Sequence, residues 1–224
     1  MTVIQIEVDD LSCIANVYFA SIADVAGVGS RDQAYFRNSI IDQSAEMITA
    51  ITQKRLIESV LVVVEKAVAA GVNFLGWGSV LDSLEEMRVS TDLGQEFKDF
   101  LTILTTARWL ARIEDVEFLT SNQIEEYREL LSERADICIL LAADRGFDGL
   151  YIQLQNLLGA CIGLLDDAQK SSAFEVSYEF NQSMPAIALS RRLYANIDRV
   201  EELYNANECI HPAFMPVSGV ALSK

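Results

Sequence analysis

The sequence predicts a mainly α-helical protein, a helical bundle body with a small C-terminal α+β module, and three observations carry that reading. Only 11 glycines and 3 prolines interrupt 224 residues, so long stretches run without a helix breaker. Hydrophobic residues make up 51% of the chain, enough to bury a sizeable core. All three prolines, Pro185, Pro212 and Pro216, follow a short segment in which apolar and polar residues alternate. Residues 1–170 are therefore expected to form the bundle and residues 171–224 the C-terminal module.

The elements of the body follow from caps and spacing. Asp9 and Asp10 are placed to cap a helix over 11–25, which Gly27 and Gly29 would stop. Ser30 and Gln33 form a capping-box pattern ahead of a long helix with Phe36, Ile40, Met47 and Ile51 on one face. That helix is expected to continue through the β-branched run 60–64 and to end near Gly71. Residues 73–78 read as a turn carrying Trp77, with a short helix over 79–87 and a break around 90–94. Phe97, Phe100, Leu101, Leu104 and Trp109 make the next amphipathic helix. Thr120 with Gln123 is a second capping box. Beyond it, Ile124, Tyr127, Leu131, Cys138 and Leu141 share a face opposite Glu125, Glu126, Glu129 and Glu133, and Gly146 closes the helix. Asp148 caps a last long helix to about Asp167, in which Gly159 and Gly163 mark a place where a neighbouring helix passes close.

From Ser171 and Ser172, a linker, the texture changes. Residues 174–180 read FEVSYEF, the period-two pattern of a half-buried strand. Ser183 can cap a helix with Pro185 in its first turn. Leu189 and Leu193, then Val200, Leu203 and Tyr204, supply the apolar faces of two short helices, with Asn196 and Asp198 as break and cap. Asn207 suits a left-handed helix end, and the prolines after it imply an extended tail presenting Ile210, Phe214 and Met215.

Composition narrows the function. With 33 acidic against 17 basic residues the net charge is -16, a surface that repels phosphate and anionic membranes. Nucleic-acid and membrane partners are not expected. Cys13, Cys138, Cys161 and Cys209 form no CxxC pair, which points to free thiols in a reducing compartment. Glu7, Asp9 and Asp10 come early with no basic region before them, so no secretory leader is expected. The apolar stretches 57–75 and 149–165 read as buried helices of a bundle rather than membrane spans.

Chemistry is hard to find. The single histidine, His211, has no second histidine or cysteine at ligand spacing, so neither a metal nor a cofactor is expected. There is no phosphate-binding loop, dinucleotide fingerprint or nucleophile elbow. Cys209 and His211 lie two apart without a third orienting group. The paired acids, such as Glu85 with Glu86 and Asp166 with Asp167, read as solvated helix faces. Assembly, not catalysis, is the expected role.

The run ALSRRLYANIDRVEELYNANECIHPAFMP, residues 188–216, resembles the C-terminal signature of the DNA circularisation proteins of Mu-like bacteriophages. Arg192, Leu193, Tyr194, Arg199, Glu202, Leu203, Asn207, Ile210, His211, Pro212, Phe214 and Pro216 match its pattern. Met1 to Val28 holds no counterpart of that family's N-terminal domain. The resemblance implies a structural tail or baseplate protein of a phage or phage-like particle, made in the host bacterial cytoplasm and carried in the virion tail. Its implied partners are other tail or baseplate proteins, with copies of itself in a symmetric assembly. Arg192, Leu193, Tyr194, Asn207, Ile210, His211, Pro212 and Phe214 are the implied partner-binding residues.

The same end is similar to a LysM module, whose order is β-α-α-β. Here Asn181-Gln-Ser-Met184 stands where true LysM domains carry Gly-Asp. That similarity implies two alternatives: a peptidoglycan-binding or cell-wall-degrading tail protein, or a LysM-like structural adaptor. The family name implies a third, an injected DNA-circularising protein.

Overall fold

A computed structural model describes residues 3–26, 31–118, 120–172, 174–209 and 211–223. It is mainly helical, with ten α-helices among these residues and a two-stranded antiparallel sheet near the C-terminus, as the sequence predicts. Contacts group the chain into two compact units, Met1–Val116 with Leu131–Cys161, and Glu117–Leu130 with Ile162–Lys224. The second unit therefore takes in residues 117–130 and 162–170 beside the module expected over 171–224.

In the first unit, α1 (Val3–Val25) begins well before Asp9, so neither acid is its cap. The reason is tertiary. The Asp10 carboxylate reaches the start of α6 (Asp92–Leu110), where it accepts the Ser90 N–H at 3.3 Å, the Thr91 N–H at 3.0 Å and the Thr91 hydroxyl at 2.7 Å. The Thr91 oxygen accepts the Gly94 N–H at 2.9 Å and caps α6. A Cβ on Gly94 would collide with the Asp10 carboxylate, so this close approach requires glycine.

The long helix expected after residue 33 is three pieces: α2 (Arg31–Ala45), α3 (Met47–Thr52) and α4 (Leu56–Ala69). Lys54, at φ 58°, turns the chain between α3 and α4, and Gly71, at φ 77°, follows the end of α4. The valine run stays helical because Val60, Val63 and Val64 are buried, while Leu61 and Val62 face outward. Phe36, Ile40 and Met47 are buried as the spacing predicts. Gly27, Gly29 and the Ser30–Gln33 box lie outside the residues whose side chains are described.

The turn expected at 73–78 is helix. Asn73 accepts the Gly76 N–H at 2.9 Å and caps α5 (Phe74–Glu86), with Trp77 fully buried in its first turns. Phe74 stacks on Trp109 of α6 at 4.9 Å between ring centroids. Tyr18 and Phe19 of α1 pack into the same core, and the buried Tyr18 hydroxyl shares a hydrogen bond with Thr105 at 3.0 Å. Each large apolar group buried here contributes about 1.5–3 kcal/mol. The Tyr18 hydroxyl among them is bonded, whereas the buried Trp77 Nε1 has no hydrogen-bond partner among the described residues.

Thr120 accepts the Gln123 N–H at 3.2 Å and caps α7 (Ser121–Asp144), the Thr120 half of the expected capping box. Gly146, at φ 70°, follows it. Asp148 stands in the first turn of α8 (Asp148–Ser171), which includes Ser171 of the expected linker. Two expectations about α8 fail. A Cβ on Gly159 or Gly163 would meet nothing within 4 Å, so among the described residues no helix packs closely there. The stretch 149–165 buries Leu154, Cys161 and Leu165 but leaves Ile152 56% exposed, so it is amphipathic rather than buried all round. Among the described residues no helix is long and apolar enough to cross a membrane.

Candidate functional site

The site is built on β1 (Glu175–Glu179), α9 (Ala186–Tyr194), α10 (Val200–Ala206) and β2 (Ser218–Leu222), the β-α-α-β order read from the sequence. The strands pair antiparallel, with Val176 opposite Ala221 and Tyr178 opposite Gly219. A two-stranded sheet is marginal alone and needs a packed face. Here Tyr178 and Ala221 of the sheet, Ala186 and Leu189 of α9, Leu203 of α10 and Met215 form a core of their own.

Several helix-end expectations are revised in this core. Pro185, not Ser183, occupies the cap position of α9, and the Ser183 hydroxyl donates to the Met215 carbonyl at 2.7 Å. Met215 is fully buried, so the tail does not present it. Asn207 has ordinary φ, and the left-handed residues are Ala195 (φ 54°) after α9 and Glu208 (φ 46°) after α10. The Asn196 side chain does cap the turn between the helices, accepting the Asp198 N–H at 2.9 Å.

The resemblance residues divide by what they touch. Asn207 is tied inside the module: its amide donates to the Leu203 carbonyl at 2.8 Å and the Val220 carbonyl at 2.7 Å, and its oxygen accepts the Val220 N–H at 2.8 Å. A Cβ on Gly219 would collide with that Asn207 oxygen. Tyr194 accepts the Leu222 N–H at 2.9 Å, and burial pushes its phenol above the usual tyrosine range. Leu193 is half-buried against the core. Pro212 is exposed, but its carbonyl accepts the Ala186 N–H at 2.7 Å, at the start of α9.

Arg192, His211 and Phe214 face outward. The Arg192 guanidinium lies 4.7 Å above the Phe180 ring. His211 accepts the Ala213 N–H through Nδ1 at 3.1 Å, and its ring lies 5.8 Å from Phe214, which is 75% exposed. Ile210 lies outside the described residues. Cys209 donates to the Asn207 carbonyl, so Cys209 and His211 each bond to backbone and not to one another.

Arg199 is the residue whose role only the fold reveals. It pairs with Glu202 through two nitrogens, donates to the Leu222 carbonyl at 2.8 Å and lies 4.0 Å over the Tyr194 ring. The Glu202 carboxylate holds its guanidinium firmly charged. A cleft of about 380 Å³ opens beside it, lined by Val176, Leu193, Tyr194, Asn196, Arg199 and Leu222 among others. Exposed apolar groups were also missed: Ile187, on α9, is 62% exposed and Ile197, in the turn between α9 and α10, is 57% exposed.

Among the described residues no group of three or more His, Cys, Asp or Glu side chains is placed to hold a metal ion. The arrangement defines a class: a helical protein that carries a separately cored β-α-α-β module with an exposed aromatic tail. No protein-family model matches the chain, and no curated protein is significantly similar to it.

Proposed function

We propose that this chain is a structural component of a phage or phage-like tail or baseplate, docked through its C-terminal module by protein–protein contacts. One observation carries the reading. The run 188–216 that resembles the phage signature lies within a module with its own core, and that module leaves Phe214, Ile187 and Ile197 largely in solvent. A small module that spends large apolar side chains on its surface is suited to being covered by a partner. The partners are other tail proteins and further copies in a symmetric assembly. The charge of -16 weighs against nucleic acid.

The test is a Phe214→Asp, Ile187→Asp double variant expressed in the particle's host. Both positions are exposed, so helical content and melting should stay within error of the parent, while assembled tails should lack the protein. Particles of normal composition would overturn the proposal.

The β-α-α-β order supports a second reading, a module that binds cell-wall glycan. Pull-down on purified peptidoglycan separates the two, because only the second requires retention on the glycan.

A further inference from the structure

We propose that the outer edge of β1 is a strand-docking site for an extended partner segment in which basic and apolar residues alternate. The inference deepens the docking reading above and rests on it.

The two edges of the small sheet are finished differently. Phe180 donates to the Val217 carbonyl and Ser223 to the Phe174 carbonyl, both at 2.7 Å, which sets the alternation of the ladder. In this register, Val176 and Tyr178 turn their N–H and C=O groups towards β2, while Ser177 and Glu179 turn theirs away. On β2 the same alternation sends the groups of Ser218, Val220 and Leu222 outward.

The four outward groups of Val220 and Leu222 are all occupied. The Asn207 carboxamide takes both Val220 groups, Tyr194 takes the Leu222 N–H and Arg199 takes the Leu222 carbonyl. Side chains of α9, α10 and their flanks thus imitate a third strand. No side chain among the described residues does this for Ser177, which is exposed, as is Glu179. An unpaired edge of this kind is a template for strand addition.

Charge and apolar surface identify the occupant. The strand reads Glu175-Val-Ser-Tyr-Glu179, so a second copy paired antiparallel about Ser177 would set Glu175 against Glu179 twice. Like charges directly opposite destabilise a sheet, whereas lysine or arginine opposite them stabilises it. On the other face Phe174 and Val176 are 58% and 53% exposed and would gain apolar neighbours from an added strand. A basic and apolar alternating segment of a different protein satisfies both faces.

The test uses the full chain, isotopically labelled, and two eight-residue probe peptides, one alternating lysine with valine and one alternating glutamate with valine. The lysine peptide should shift the Ser177 and Glu179 amide signals and slow Ser177 amide exchange, leaving Val220 and Leu222 unmoved. Ser177→Pro removes an N–H that faces away from β2, so the ladder survives while peptide binding should weaken at least tenfold. Glu179→Lys leaves the backbone untouched and, with Glu175 still acidic, should abolish the preference for the lysine peptide over the glutamate one. It decides the matter alone if the proline variant does not fold. Unchanged lysine preference in Glu179→Lys, or parent-like binding by a folded Ser177→Pro, would overturn the inference. Tail incorporation keeps the two proposals apart. If Ser177→Pro enters tails normally while the Phe214, Ile187 double variant does not, the edge site falls and the docking reading stands. If the double variant enters normally while peptide binding follows the edge variants, the reverse holds.

Discussion

Asp10, in the middle of α1, holds Thr91 by both its backbone N–H and its hydroxyl, and so fastens the start of a helix 81 residues away. The carboxylate sits at the positive end of the α6 dipole, where an anion is favoured. It also occupies the space that a side chain at position 94 would need.

Asp10→Ala should therefore lower stability by about 1–2 kcal/mol, the range for a lost cap with its orphaned donors. Gly94→Ala should also destabilise, through collision with that carboxylate. The double variant should lose less than the sum, because removing Asp10 relieves the tightest of the new methyl's contacts and leaves only those with Val89 and the Thr91 hydroxyl. Denaturant unfolding of the four proteins gives the coupling directly. Strict additivity would show that the two positions do not share this contact.

Asn207→Ala removes three hydrogen bonds and leaves the Val220 N–H and carbonyl without their partner. A loss of about 2 kcal/mol is expected, from the cost of leaving such groups unmade. It should appear in the module: amide exchange should accelerate at Val220 and Leu222 while amides of α1 and α5 keep their protection.

Ala195 ends α9 in the left-handed region, at φ 54°, where a Cβ is strained and glycine is not. Ala195→Gly should raise stability by roughly 1 kcal/mol, offset in part by the greater freedom of the unfolded chain. A fall in melting temperature would show that the side chain contributes packing that outweighs its strain.

The thiols give a pH dependence. Burial pushes Cys161 up to about 11 from the ordinary 9.0, and burial pushes Cys138 up as well. Both shifts favour the neutral thiol, so the folded chain holds these protons more tightly than the unfolded chain. This stabilisation is complete below pH 9 and is lost as the pH rises towards about 11. Unfolding free energy should fall across that window, and less steeply in a Cys138→Ala, Cys161→Ala variant. At pH 8 a thiol reagent should label exposed Cys13 and spare these two until denaturant is added.

Local signals served well where an element's neighbours in sequence determine it. The FEVSYEF alternation became β1, Thr120 capped α7, and Gly146 took the positive φ that closes α7. They misled where a distant group supplied what the local chain lacked. Asp9 and Asp10 look like caps for the residues after them, yet Asp10 serves Thr91. Residues 73–78 look like a turn because of two glycines, but burial of Trp77 against the core holds them helical. In the module, Asn207 and Tyr194 were legible as distinctive residues, not as the seal on β2.

The sequence by itself determined the helical class, the small strand-bearing end and the sign of the surface, because these depend on residue type, short-range period and counts of charge. Only the tertiary structure decided which polar side chains turn inward to close a sheet edge and which apolar ones stay in solvent. Those outcomes depend on groups far apart in the chain meeting within about 3 Å, the separation a hydrogen bond requires, and no local pattern records such meetings.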